Sequence, residues 1–193
     1  MTHLLEAAVE LQGFMQEQKW RFCFIGGLAV QFWGQQRATQ DVDITLITGF
    51  GDEEAYIEKL LSRFKPRRPD TAKFALAARV LLINATNGVG VDIALGGLPF
   101  EEEAVSRARP CEYAPGLTLL TCSAEDLIVL KAFAERGIDW FDVEGILARQ
   151  WGKLDWGYVR RQLAMLCEAK DSPDILEQLE RLRGKVDARL TGR

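Results

Sequence analysis

Between Phe24 and Leu46 the chain reads Phe-Ile-Gly-Gly-Leu-Ala-Val-Gln-Phe-Trp-Gly-Gln-Gln-Arg-Ala-Thr-Gln-Asp-Val-Asp-Ile-Thr-Leu, and no other stretch narrows the possible folds as much. The pattern predicts a buried strand over 21–25, a Gly26-Gly27 turn, a short helix over 27–34 and a second strand over 42–47. Side chains alternate faces along a strand, so Asp41 and Asp43 share one face, about 6.5–7 Å apart at about 3.3 Å per residue. Like charges this close raise each other's pKa unless a cation intervenes. Such a pair suits a divalent metal with hard oxygen ligands, Mg²⁺ above all.

A glycine pair that ends a strand and opens a helix lets backbone approach a phosphate chain, and the helix N-terminus adds free N–H groups and a favourable dipole. Beside two carboxylates this implies a nucleoside triphosphate site. Gly26-Gly27 followed by Arg37-x-Thr39-x-Asp41-Val-Asp43 resembles the signature of the DNA polymerase β-type nucleotidyltransferase superfamily. More narrowly it is similar to the AbiEii-type nucleotidyltransferase-like proteins.

The resemblance implies an α/β (α+β) fold: a nucleotidyltransferase-like mixed sheet flanked by helices, with a C-terminal helical extension. It implies transfer of a nucleoside monophosphate from an NTP to an acceptor hydroxyl, with two Mg²⁺ ions on Asp41, Asp43 and a third carboxylate from a later strand. Gly26 and Gly27 would cradle phosphate, and Arg37 and Thr39 would brace the loop or touch phosphate. The family's usual Gly-Ser is Gly-Gly here, so a serine hydroxyl is missing.

The third carboxylate is expected at Asp92. Residues 79–85 and 89–95 alternate around Thr86-Asn-Gly88 and predict a hairpin. Asp92 lies between Val91 and Ile93, where a buried carboxylate needs a partner, and Gly90 and Ala94 on its face leave room for a ligand. An exposed edge-strand aspartate is the alternative. Ser123 with Asp126 predicts a capping-box variant opening a helix over 124–136. Lys131 shares that helix's apolar face with Leu127 and Ala134, so it either snorkels or points at an anion. The run Lys131-x4-Arg136-x2-Asp139-x2-Asp142 resembles a second family block, which implies that Lys131 holds the triphosphate while Asp142 or Asp139 supports the site. A surface pair of Lys131 with Glu135, and Asp139 as a helix cap, are the structural alternatives.

Elsewhere the sequence predicts helices over 3–18 (Thr2 as cap), 52–63 (Asp52 as cap), 140–150, 154–169 and 174–190, and short extended segments over 109–113 and 117–121. Lys65-Pro-Arg-Arg-Pro69 is expected to be a solvated basic connector, with contact to a nucleic-acid phosphate as the alternative, and the segment from Pro99 a solvated acidic helix. Trp140, Trp151, Trp156 and Tyr158 are expected in the core, with stacking on a base as the alternative. The expected division is a core over 1–122 and a helical region over 123–193.

Composition removes several classes. The single histidine, His3, falls in an expected frayed terminus, which excludes serine triads and histidine-based zinc sites. Cys23, Cys111, Cys122 and Cys167 are scattered without a Cys-x-x-Cys pair and are expected to be reduced. No apolar run approaches the roughly 20 residues that span a bilayer, so no membrane role and a cytoplasmic location are expected. The net charge of −4 makes a large nucleic-acid interface unfavourable. The acceptor stays open between tRNA, a protein and a small molecule of the aminoglycoside type. A toxin reading would bring an antitoxin protein as partner, and a non-catalytic binding module of the same fold is the rival from another class.

Overall fold

The computed structural model describes residues 2–192, which form α1 (Thr2–Glu17), β1 (Phe22–Phe24), α2 (Gly26–Trp33), β2 (Asp41–Ile47), α3 (Glu53–Leu61), β3 (Lys65–Pro66), α4 (Thr71–Ala78), β4 (Val80–Asn84), β5 (Gly90–Gly96), α5 (Pro99–Ser106), β6 (Arg109–Ala114), β7 (Leu117–Thr121), α6 (Ala124–Ala134), α7 (Gly137–Arg149), α8 (Trp156–Lys170) and α9 (Asp174–Thr191). They divide into two compact units, residues 2–28 with 38–122 and residues 29–37 with 123–192.

The first unit is built on a seven-stranded mixed sheet in the order β3-β4-β5-β2-β1-β7-β6. The β2–β5 and β1–β7 pairs are parallel and the others antiparallel. Alternation along β2 and β5 sorts the side chains by face. Val42, Ile44 and Leu46 pair with Val91, Ile93 and Leu95 and enter a core with Leu4, Ala8 and Leu11 of α1, Leu60 of α3 and Ala75 of α4. Burying each of the larger aliphatic groups is worth about 1.5–3 kcal/mol. The opposite face carries Asp41, Asp43 and Thr45 beside Gly90, Asp92 and Ala94. The apolar face thus fixes the register that brings the acidic residues together, since a slip by one residue would exchange the two faces.

The second unit is helical. Its α6 is apolar on nearly every side, with Leu127, Ile128, Val129 and Ala132 buried, and it contacts α7, α8 and α9, as expected of a central helix. Ser123 Oγ accepts from the Asp126 N–H (3.1 Å) and donates to Asp126 Oδ2 (2.5 Å), capping α6. Asp126 Oδ1 accepts from the Tyr158 hydroxyl at 2.5 Å.

Several local expectations are corrected. α1 already includes Thr2 and His3, so Thr2 is not a cap, and His3 lies 3.3 Å from Glu6 on an exposed helical turn. Asp52 occupies the cap position of α3 without a side-chain cap bond; Glu53 accepts from the Gly51 N–H instead (2.8 Å). Thr71–Ala78, between the basic segment and the hairpin, form α4, a helix not among those expected. Lys65-Pro66 is a short edge strand on β4 rather than part of a solvated loop. In α5 Glu102 and Glu103 are exposed, but Glu101 is half-buried and accepts from the Gly97 and Leu98 N–H groups, and Phe100, Ala104 and Val105 are buried. Trp151 is 48% exposed and not a core residue. All four cysteines are buried thiols outside any disulfide. Among the described residues no helix is long and apolar enough to cross a membrane.

Candidate functional site

Two clusters gather the residues singled out in the sequence, one in each unit. In the first, Asp43 and Asp92 are register partners on the parallel strands β2 and β5, and Asp41 lies two residues before Asp43 on the same face, opposite Gly90. Three carboxylates from two chain segments therefore share one side of the sheet.

Each is held differently. Asp43 is tied to the start of α2, where its Oδ2 accepts from the Gly27 N–H at 3.1 Å. Gly26 has φ +58°, a left-handed turn that lets the chain leave β1 and enter α2, and a β-carbon there would lie 2.6 Å from Asp43 Cβ. A β-carbon on Gly27 would lie 2.6 Å from Thr39 Cβ. The glycine pair therefore makes room for Asp43 and Thr39, and Thr39 fills the space a serine at position 27 would need.

Asp92 and Asp41 are held by Arg67, which the sequence reading placed in a solvated connector. Its Nη2 forms an ion pair with Asp92 Oδ1, and its Nη1 lies 3.5 Å from Asp41 Oδ1. The Arg67 N–H donates to the Leu82 carbonyl of β4 at 3.1 Å, so the residue is fixed to the sheet edge. Burial pushes the Asp92 carboxyl above its ordinary pKa; Arg67 opposes this, while the Asp43 and Asp41 charges add to it.

The face fits a divalent cation in donor chemistry, since carboxylate oxygens that collect a guanidinium here are the hard donors Mg²⁺ prefers. Among the described residues no three His, Cys, Asp or Glu side chains already stand as an ion's ligand shell. At this face Asp43 accepts from the Gly27 N–H, and Arg67 pairs with both Asp41 and Asp92.

The second cluster contains Arg37, Lys131, Arg136, Asp139 and Asp142. Lys131 Nζ lies 2.8 Å from Asp139 Oδ1 and 2.9 Å from Asp142 Oδ2, both carboxylates being essentially buried. Arg37 grips Asp142 with two bonds, Nε to Oδ1 at 2.7 Å and Nη2 to Oδ2 at 2.8 Å. Arg136 Nε donates to Asp139 Oδ2 at 2.6 Å. Burial pushes the Asp139 carboxyl up, but the hydrogen bonds and charges of Arg136 and Lys131 outweigh it and hold its pKa below the ordinary value. Lys131 thus spends two of its donors on carboxylates of its own unit, and Glu135 pairs with Lys170 rather than with Lys131.

By sequence, no family model and no curated protein matches the chain. By structure it is similar to the lincosamide antibiotic adenylyltransferase LnuA, crystallised with lincomycin bound (15% identity, 73% of this chain and 94% of that one, TM-score 0.50). It is also similar to an antigenic nucleotidyltransferase-like protein from Paracoccidioides brasiliensis (14% identity, 92% of each chain, TM-score 0.51). The antibiotic-resistance factor ANT(2'')-Ia covers more of the chain (99%, with 95% of its own length, at 17% identity), but its TM-score of 0.45 is too low to bear on the fold. The seven-stranded mixed sheet with its flanking and C-terminal helices is a nucleotidyltransferase-like fold.

Proposed function

We propose that the chain is a Mg²⁺-dependent nucleotidyltransferase that moves a nucleoside monophosphate from an NTP to a hydroxyl of a small-molecule acceptor. The observation that carries this reading is the register of β2 against β5, which sets Asp92 beside Asp43 with Asp41 on the same face. When bound, two Mg²⁺ ions would neutralise charge on the phosphates and on the attacking and leaving oxygens.

The chain's own groups do the remainder. Asp41, Asp43 and Asp92 supply the metal ligands. Gly27 orients Asp43 through its N–H, and the side-chain-free start of α2 offers backbone to a phosphate. The acceptor oxygen attacks the α-phosphorus, forming a P–O bond as the α–β anhydride breaks and pyrophosphate leaves. Asp92, the register partner of Asp43 on the same face, takes the hydroxyl proton as the new bond forms. Lys131 and Asp142 act through Arg37, anchoring the residue four positions before Asp41 in the sequence.

A small-molecule acceptor is favoured because LnuA is a lincosamide adenylyltransferase and because the net charge of −4 is unsuited to a long RNA interface. The acceptor test is incubation with labelled NTPs and separate pools of aminocyclitol and lincosamide antibiotics, tRNA and protein. Label in the small-molecule pool, abolished by Asp41→Ala with Asp43→Ala, is the expected result. Label in tRNA or protein would replace this acceptor with the one the AbiEii resemblance implies, and with it the question of an antitoxin. Magnesium-independent NTP binding without transfer would make the chain a binding module.

A further inference from the structure

Arg67 is a cation placed where the metal ligands are. Of the basic run Lys65-Pro-Arg-Arg, Arg68 is used locally, donating to Asp70 at 2.5 and 3.0 Å and lying 4.1 Å over the Phe74 ring. Arg67 turns the other way and spans Asp41 and Asp92, one terminal nitrogen to each. The space for it comes from Gly90: a β-carbon there would stand 2.5 Å from Arg67 Nη1 and 3.3 Å from Asp41 Cγ. Its side chain is 25% exposed and its backbone N–H is bonded to β4, so the contact is built into the fold rather than made by a roaming surface side chain.

We infer that Arg67 couples nucleotide binding to metal binding, by guarding Asp41 and Asp92 against a lone divalent cation and passing to a phosphate when a nucleoside triphosphate arrives. This rests on the nucleotidyltransferase reading above and goes beyond it by naming a residue and an order of events. Three carboxylates and one guanidinium leave two negative charges on the face. Arg67 satisfies part of that field, so a divalent ion entering alone must displace it and return it to water. Once cations hold the carboxylates, Arg67 faces positive charge and is repelled. A triphosphate reverses the balance by offering oxygens that match the planar guanidinium fork. Arg67 then gains a partner in the same event in which it gives one up. Metal and nucleotide therefore favour each other's binding, each raising the other's affinity by the same factor.

The test measures Mn²⁺ affinity by the electron paramagnetic resonance of free Mn²⁺, with and without a non-hydrolysable ATP or GTP analogue. It compares the native protein with Arg67→Ala and Arg67→Lys, circular dichroism checking that each is folded. Without nucleotide, Arg67→Ala should bind Mn²⁺ about tenfold more tightly than the native chain, the loss of one charged hydrogen-bonded competitor. The gain in Mn²⁺ affinity on adding the analogue should shrink by about the same factor. Arg67→Lys, which keeps the charge without the fork, should shift both quantities in the same direction by less, and it serves as the reference if the alanine variant does not fold. Mn²⁺ affinity within twofold of native in both variants, or unchanged nucleotide coupling, overturns the inference and leaves the proposed function standing. Absence of Mn²⁺ binding by the native protein and variants even with the analogues removes both.

Discussion

Replacing Lys131 by methionine keeps roughly the length of the side chain and deletes its charge and donors. The ammonium lies 2.8 Å from Asp139 and 2.9 Å from Asp142, and these carboxylates are 0% and 1% exposed. Removing one partner of a buried ion pair costs about 3–5 kcal/mol. Here the loss is moderated, because Arg136 still holds Asp139 and Arg37 still holds Asp142 with two bonds. Neither carboxylate is stranded, which places the expected cost near the lower end, about 3 kcal/mol. Urea denaturation at pH 7 should show this as a lower midpoint with an unchanged slope. Arg136→Ala is the internal control: its side chain is 70% exposed, so it should cost under about 1 kcal/mol despite touching the same carboxylate. A Lys131→Met protein within about 1 kcal/mol of native would refute the account, because it would show that Arg136 and Arg37 alone compensate both buried carboxylates. If that protein had also lost NTP binding, Lys131 would be a nucleotide ligand rather than a brace.

Three further outcomes follow from particular contacts. Gly27→Ser should destabilise by about 1–3 kcal/mol through overpacking against Thr39, and Thr39→Gly in the same chain should recover part of it; no recovery would mean the clash lies elsewhere. Tyr158→Phe removes the hydroxyl donor to buried Asp126 and should cost about 1.5–3 kcal/mol by thermal or urea unfolding, an effect under 0.5 arguing against the bond. Asp139, whose folded pKa is depressed below an unfolded value near 3.9, contributes stability that is complete above that pH and is lost as pH falls through the folded value. Stability measured from pH 6 to pH 2 should therefore fall less steeply in Asp139→Asn than in the native chain, and parallel curves would contradict the depressed pKa.

What the sequence revealed and what it hid divide along the range of the interactions. The strand, glycine turn, helix and second strand from Phe24 to Leu46 follow from local chemistry: alternation, a left-handed turn that suits Gly26, and apolar helical spacing. The hairpin around Thr86-Asn-Gly88 was equally local. Arg67 stayed hidden because its partners, Asp41 and Asp92, are distant in the chain and are met only through the β2–β5 and β4–β5 pairings. The bonds joining Lys131 to Asp139 and Asp142 cross between helices, so the family resemblance grouped these residues without showing that they bond one another. Thr39 as the occupant of the space beside Gly27 needed a backbone; no pattern of letters reports a distance between β-carbons.

The pairing of β2 with β5 is also a statement about time. Four elements, α3, β3, α4 and β4, separate the two strands in the chain, and a parallel pair cannot close until everything between them has been laid down and looped back. A partly synthesised chain carries Asp41 and Asp43 but has no Asp92 to set beside them. Their mutual repulsion then has water to dilute it, and the full crowding of negative charge arises only as the central strands dock, by which point Arg67 has also been made. The chain thus reaches its most strained electrostatic arrangement late, with its own counter-charge already to hand.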